Sequence, residues 1–316
     1  MEKNEPYEVI IVGGGPAGIT AGLYSNRAAL RTVLVEKGLL GGQIAISKEV
    51  ENYPGVEGIT GFDLAEKLIH HAQAFGLQII QEEVAEIQAG SELHSVRLGN
   101  GEVLRTVALI LAVGGTARKL GVPGEAEYLG SGVSYCATCD GFFFRGKTVV
   151  VVGGGDTAAE EALYLSRLVR KVFLVHRRNS LRASKLLQRR LKDEPGIELV
   201  WNTVITEIRG DGHAVRSVAY ENVETREKGV FPADGVFIFI GFSPNNQLIP
   251  PGVRTNELGY VITDEKNGTS IPGIFAAGDL RQKFANQIVV AAADGCVAAL
   301  AAAHYVEMQK TVVRSS

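Results

Sequence analysis

The chain has 316 residues, 46% apolar and 21% charged, and its 32 basic and 35 acidic side chains leave a net charge of −3. Such a composition excludes a disordered chain and exerts no general pull on nucleic acid or an anionic membrane. At roughly 150 residues per domain, the length suggests two domains. Glycine stands out: the 38 residues are about 12% of the chain against a usual ~7%. They cluster without a period, which excludes collagen and predicts tight glycine turns.

The run Met1 to Glu8 is charged and leads straight into a strand pattern at Val9, with no signal-peptide apolar region before it. An uncharged apolar stretch of about 18 residues is missing; the nearest, Ile288 to Ala303, is interrupted by Asp294. Three cysteines are too few for a secreted disulfide framework. The expectation is a soluble cytoplasmic protein with no membrane or nucleic-acid partner.

In chain order, residues 9–37 read as strand, glycine cluster, helix and second strand, a βαβ unit of about 30 residues. A strand pattern at Val107 to Val113 ends in Gly114-Gly115. Residues 149–177 repeat the first unit without a gap, Gly153 standing 140 positions after Gly13. Strands follow at Gly235 to Ile240 and Ile274 to Ala277, then an Ala-rich helix from Ile288 to Val306. Two copies of one unit imply an α/β protein with two Rossmann-like dinucleotide-binding domains. The layout predicts that the second is inserted into the first: 1–115 with 243–316, and 116–242.

The first cluster, Gly13-Gly14-Gly15-Pro16-Ala17-Gly18, follows a strand and opens a helix, the context a dinucleotide fingerprint requires. Gly13 allows the tight turn, Gly15 the approach of a pyrophosphate, and Gly18 close helix–strand packing. Glu36, 23 residues after Gly13, ends the second strand. A carboxylate there accepts ribose hydroxyls and repels a 2′-phosphate, which predicts FAD or NAD. The second cluster, Gly153-Gly154-Gly155-Asp156-Thr157-Ala158, is the Gly/Ala variant. His176 replaces the acid and is followed by Arg177 and Arg178. Guanidinium groups bind phosphate by charge-assisted forks, so this site is expected to take NADP.

Cys136-Ala137-Thr138-Cys139 supplies a pair able to close an exchangeable disulfide. A dithiol–disulfide couple carries two electrons, matching one hydride. No second Cys pair or suitably spaced His pair completes a zinc site. Cys296, alone in an Ala-rich segment, reads as a buried small apolar residue. Asp140 follows the pair and can supply the proton a departing thiolate needs; an Asp opening a turn before Gly141 is the plainer reading.

Together these residues resemble the low-molecular-weight bacterial thioredoxin reductases over nearly the whole chain. The likeness adds Gly42-Gln43, the run from Val50 to Gly55 with Asn52, Arg182-Ala183, Gly278-Asp279 and Gln287. It implies that FAD is held by Gly13 to Gly18, Glu36, Gly42, Gln43, Asn52, Gly114, Gly278, Asp279 and Gln287. It implies NADPH on Gly153, Gly155 to Ala158, His176 to Arg178 and Arg182. Cys139 would face the flavin, Cys136 would attack thioredoxin, and Asp140 would be the acid. A homodimer whose two domains rotate is also implied. Three positions depart from the family pattern: Val113, Phe242, and Asn286 in place of an arginine. A reductase for another disulfide protein, such as a glutaredoxin-like or peroxide-reducing partner, fits the same motifs. A flavin redox sensor does too, although the arginine pair is then unexplained.

Overall fold

The structure, a computed structural model, describes residues 5–47, 50 and 52–315; Glu51 and residues 1–4, read above, lie outside these. Two compact units divide the chain: 1–116 with 243–316, and 117–242.

The first unit opens with β1 (Tyr7–Val12), α1 (Pro16–Arg27) and β2 (Thr32–Glu36). There follow α2 (Gly61–Ala74), β3 (Gln78–Gln81), β4 (Val84–Gln88), β5 (His94–Leu98) and β6 (Val103–Leu111). Val9 to Val12 are all buried, as expected of a parallel strand covered on both faces. Proline at the first helical position starts α1: its fixed φ suits the helix, and the N–H it lacks would be unpaired there.

The chain crosses through β7 (Gly115–Ala117) into the second unit. That unit holds β8 (Val133–Ser134), α3 (Ala137–Asp140), β9 (Thr148–Gly153), α4 (Asp156–Ser166), β10 (Lys171–Val175) and α5 (Lys185–Asp193). After β11 (Ile197–Val200) come β12 (Thr203–Gly210), β13 (Val215–Asn222), β14 (Lys228–Pro232) and β15 (Gly235–Phe239). The return runs through β16 (Phe242–Pro244) to β17 (Ile274–Ala276) and α6 (Ile288–Ser315).

In the first unit the sheet order is β3-β2-β1-β6-β5-β4, with β17 also on β6. The nine residues of β6 make this possible: Val103 to Thr106 pair antiparallel with β5, and Leu109 to Leu111 parallel with β17. The second unit's main sheet, β11-β10-β9-β15-β8, is parallel throughout. The fold is thus the expected α/β pair of Rossmann-like domains. Val9 lies opposite Thr32 and Val149 opposite Val172. Both partners shift by the same 140 positions, so the repeat preserves strand register as well as sequence.

Two antiparallel pieces were not anticipated, β4–β5 and the three-stranded β12-β13-β14. Register shifts at Ile205/Glu207 and Arg209/Gly210 blur the period of two that would reveal β12. Helix α6 packs on α1, where a side chain at Gly295 would clash with the Ala17 carbonyl. Ile288–Thr311 is long and apolar enough to cross a membrane by length and composition. Asp294 within it is 7% exposed and ion-paired with Arg281, the environment of a helix packed against protein.

Candidate active site

The first glycine turn joins β1 to α1. Gly13 has φ +108°, and any side chain there would strike the Ala112 carbonyl. Gly18 lies against the Gly13 carbonyl at a distance no Cβ permits. Gly15 differs: nothing lies within 4 Å of where its side chain would begin, although it caps α1. Backbone at a helix N-terminus beside open space suits an anionic pyrophosphate.

Glu36, at the end of β2, accepts the Gly14 N–H at 2.6 Å on Oε2 and the Gly38 N–H at 2.7 Å on Oε1. A carboxylate has about four acceptor positions, so lone pairs remain for ribose hydroxyls. Gly41 donates to the Gly14 carbonyl at 2.7 Å and brings Gly42 against Gly15; Gln43 is exposed in the 3-10 turn that follows. Gly278 sits against Ala17, and Asp279 next to it pairs with Lys283 at 2.9 Å. Asn52 Nδ2 donates to Gln287 Oε1 at 3.3 Å across 235 positions. Gly114 accepts from Asn245 N at 3.0 Å, and Val113 accepts from Asn245 Nδ2 at 2.8 Å. Asn286 is exposed and Phe242 half-buried. This turn, the acid beside it and the open face of Gly15 fit an unphosphorylated dinucleotide.

The second turn repeats the geometry. Gly153 packs against Ala158 and the Phe239 carbonyl, and Gly155 again faces open space. Asp156 Oδ1 accepts the Ser184 N–H at 2.7 Å, while the Gly154 carbonyl accepts from Arg182 N at 2.7 Å. These bonds hold the 177–184 loop over the turn. Thr157, Arg177, Arg178 and Arg182 are exposed. His176 is 7% exposed, its ring filling the space where a Gly154 side chain would stand. Burial holds its imidazole below the usual range, and the Arg178 and Arg182 charges push the same way. The histidine is the floor of the turn, and the guanidinium groups line its exposed rim.

Cys136 and Cys139 form a disulfide around the single helical turn α3. Cys136 Sγ accepts the Cys139 N–H at 3.2 Å and lies 3.4 Å from Thr138 Oγ1. Asp140 closes this turn. Burial pushes its carboxyl above the usual carboxylate range, and a hydrogen bond from Ser134 opposes the shift. Ser134 escaped sequence reasoning, because a serine two residues before a Cys pair carries no pattern of its own. Tyr135 donates to Glu125 Oε1 at 2.7 Å, and Glu125 also accepts from Leu120 N and Gly121 N. That buried carboxylate anchors the strand leading into Cys136. Cys296, expected to be buried and apolar, is half-buried, with the Tyr24 side chain beside it. The small-residue surroundings gave no warning of this contact, since it comes from α1.

The pyridine nucleotide-disulphide oxidoreductase family model matches residues 7–295. The thioredoxin reductase of Bacillus subtilis (strain 168) is 45% identical over 313 residues, covering 99% of each chain. That of Treponema pallidum (strain Nichols) is 46% identical over 302 residues, 95% of this chain and 97% of its own. Among solved structures, the thioredoxin reductase of Streptococcus pyogenes MGAS5005 matches with a TM-score of 0.93 at 41% identity. The match covers 97% of this chain and 100% of that one.

Proposed function

The chain belongs to the pyridine nucleotide-disulphide oxidoreductase family and reduces a thioredoxin disulfide with a flavin and a pyridine nucleotide, and from that premise we propose how its residues divide the work. FAD is assigned to the first turn and NADPH to the second. The observation that carries the reading is the repeated turn with opposite charge beside it: Glu36 at one, Arg177 and Arg178 at the other.

A bound flavin would take a hydride from the nicotinamide and pass two electrons on to a disulfide. Gly13 to Gly18 receive the pyrophosphate of FAD, Glu36 its ribose, and Gly42, Gln43, Asn52, Gly114, Gly278, Asp279 and Gln287 the remainder. Arg177, Arg178 and Arg182 take the NADPH 2′-phosphate, and His176 keeps the loop beneath them in place. The Cys139 N–H and the Thr138 hydroxyl stabilise a thiolate on Cys136. Cys136 is therefore the sulfur that attacks thioredoxin, and Cys139 then displaces it from the mixed disulfide. Asp140, kept protonated to higher pH by burial, delivers a proton to Cys139 when the pair is reduced.

We assign a homodimer in the cytoplasm. Supporting the first, α6 leaves Val289, Val297, Leu300 and Met308 exposed on one side. The test is turnover of NADPH against thioredoxin and glutaredoxin panels, beside stopped-flow reduction of the flavin. Cys136→Ser and Cys139→Ser should each abolish thioredoxin reduction while flavin reduction by NADPH survives. Undiminished thioredoxin turnover in either variant would falsify the relay. A glutaredoxin preferred over every thioredoxin would redirect the partner assignment.

A further inference from the structure

Ser134 is 4% exposed and, while Asp140 is ionised, has two acceptors beside it for the one proton of its hydroxyl. Its Oγ lies 2.5 Å from Asp140 Oδ2 and 3.1 Å from the Cys136 carbonyl oxygen. It also accepts the Cys136 N–H at 3.0 Å. A hydroxyl has one proton to donate and two lone pairs. An ionised Asp140 can only accept, so it claims that proton. A protonated Asp140 can donate to Ser134 Oγ, and the Ser134 proton then turns to the Cys136 carbonyl. Which bond forms depends on the charge of Asp140.

We infer that Ser134 is a positioning residue of the redox centre, its hydroxyl switching between Asp140 and the Cys136 backbone as Asp140 loses and regains the catalytic proton. This rests on the reading of Asp140 as the acid. Reduction of the pair breaks the Cys136–Cys139 bond and adds two electrons, which the established activity supplies. One sulfur becomes a thiolate. The other takes the Asp140 proton and becomes a thiol, and Asp140 is left as a carboxylate accepting from Ser134. In the second half-reaction the Cys136 thiolate attacks the thioredoxin disulfide, and one thioredoxin sulfur departs as a thiolate. The Cys139 thiol returns its proton to Asp140, and Ser134 turns back to the Cys136 carbonyl. The Cys139 thiolate then closes the disulfide and releases the second thioredoxin sulfur.

Ser134 hydrogen-bonds Asp140 and draws its carboxyl down against the rise that burial imposes. The titratable side chains of α4, which packs against α3, are Asp156, Glu160, Glu161 and Tyr164. The 3-10 turn 141–144 has no titratable side chain. Tyr135 is committed to Glu125. Ser134 thus opposes the shift that burial imposes on Asp140.

The test is a 13C NMR titration of aspartate carboxyls in the flavin-loaded, oxidised full chain, the Asp140 signal being the one lost in Asp140→Asn. Ser134→Ala should raise the Asp140 midpoint by about one pH unit, the size expected for a hydrogen bond to a charged group. Ser134→Thr keeps the hydroxyl and should restore the parent midpoint. The pH profile of thioredoxin reduction should shift the same way in Ser134→Ala, but should not move further when that change is added to Asp140→Asn. An unmoved Asp140 titration in Ser134→Ala, with Asp140→Asn slow, refutes the role of Ser134 alone. Parent-like turnover in Asp140→Asn removes the acid itself, and the switch with it.

Discussion

Asp294→Asn probes the charge cluster that ties α6 to the 278–283 segment before it. Asp294 is 7% exposed. Its Oδ1 accepts from Arg281 Nη1 at 2.7 Å, and its Oδ2 from Lys283 Nζ at 3.3 Å and Gly278 N at 3.1 Å. The Lys283 and Arg281 side chains are themselves 5% and 18% exposed. Asparagine keeps the shape but removes the charge and turns an amide donor towards two cations. Removing one partner of a buried pair costs ~3–5 kcal/mol. Lys283 keeps Asp279 and Arg281 keeps Thr263 Oγ1, which argues for the lower end, ~3 kcal/mol. At about 2–4 °C per kcal/mol for a unit of this size, the melting temperature should fall by roughly 6–12 °C. Because Gly278 and Asp279 are in the proposed flavin site, flavin should also be lost faster on dialysis. Calorimetry of the flavin-loaded chain, with absorbance before and after dialysis, reads both effects. A fall of less than about 2 °C, below the effect of one kcal/mol, would refute the claim that this cluster holds the helix to the 278–283 segment.

Two further outcomes are expected. Arg177→Ala with Arg178→Ala should narrow the NADPH/NADH preference in kcat/KM: each lost charge-assisted contact is worth ~1.5–3 kcal/mol, roughly ten- to hundredfold. An unchanged ratio would show that the arginines do not read the 2′-phosphate. The raised carboxyl of folded Asp140 means that its protonated form favours folding below the unfolded value of about 3.9, and that this stability is lost as pH rises through the folded value. Asp140→Asn should therefore raise the melting temperature at pH 7 and leave it unchanged near pH 3; a lower melting temperature at pH 7 would contradict burial as the cause.

What the sequence determined alone was local and repeated. Strand, glycine turn and helix are specified by residues within about 30 positions of one another, so the second copy announced the first and both kept one register. The family was legible for the same reason: Cys136 to Asp140 and the two glycine runs are contiguous. Only the tertiary structure decided contacts between distant positions whose residue types carry no period. Ser134 meets Asp140 because α3 folds back onto the end of β8. Asn52 meets Gln287, 235 positions away. His176 stands in line with Glu36 in the repeat, yet its ring turns under Gly154. Asp294, which reads as a break in an apolar helix, is instead the buried acceptor for two cations and a backbone N–H. A buried polar group is stable only where packing brings it partners, and packing is a property of the assembled fold.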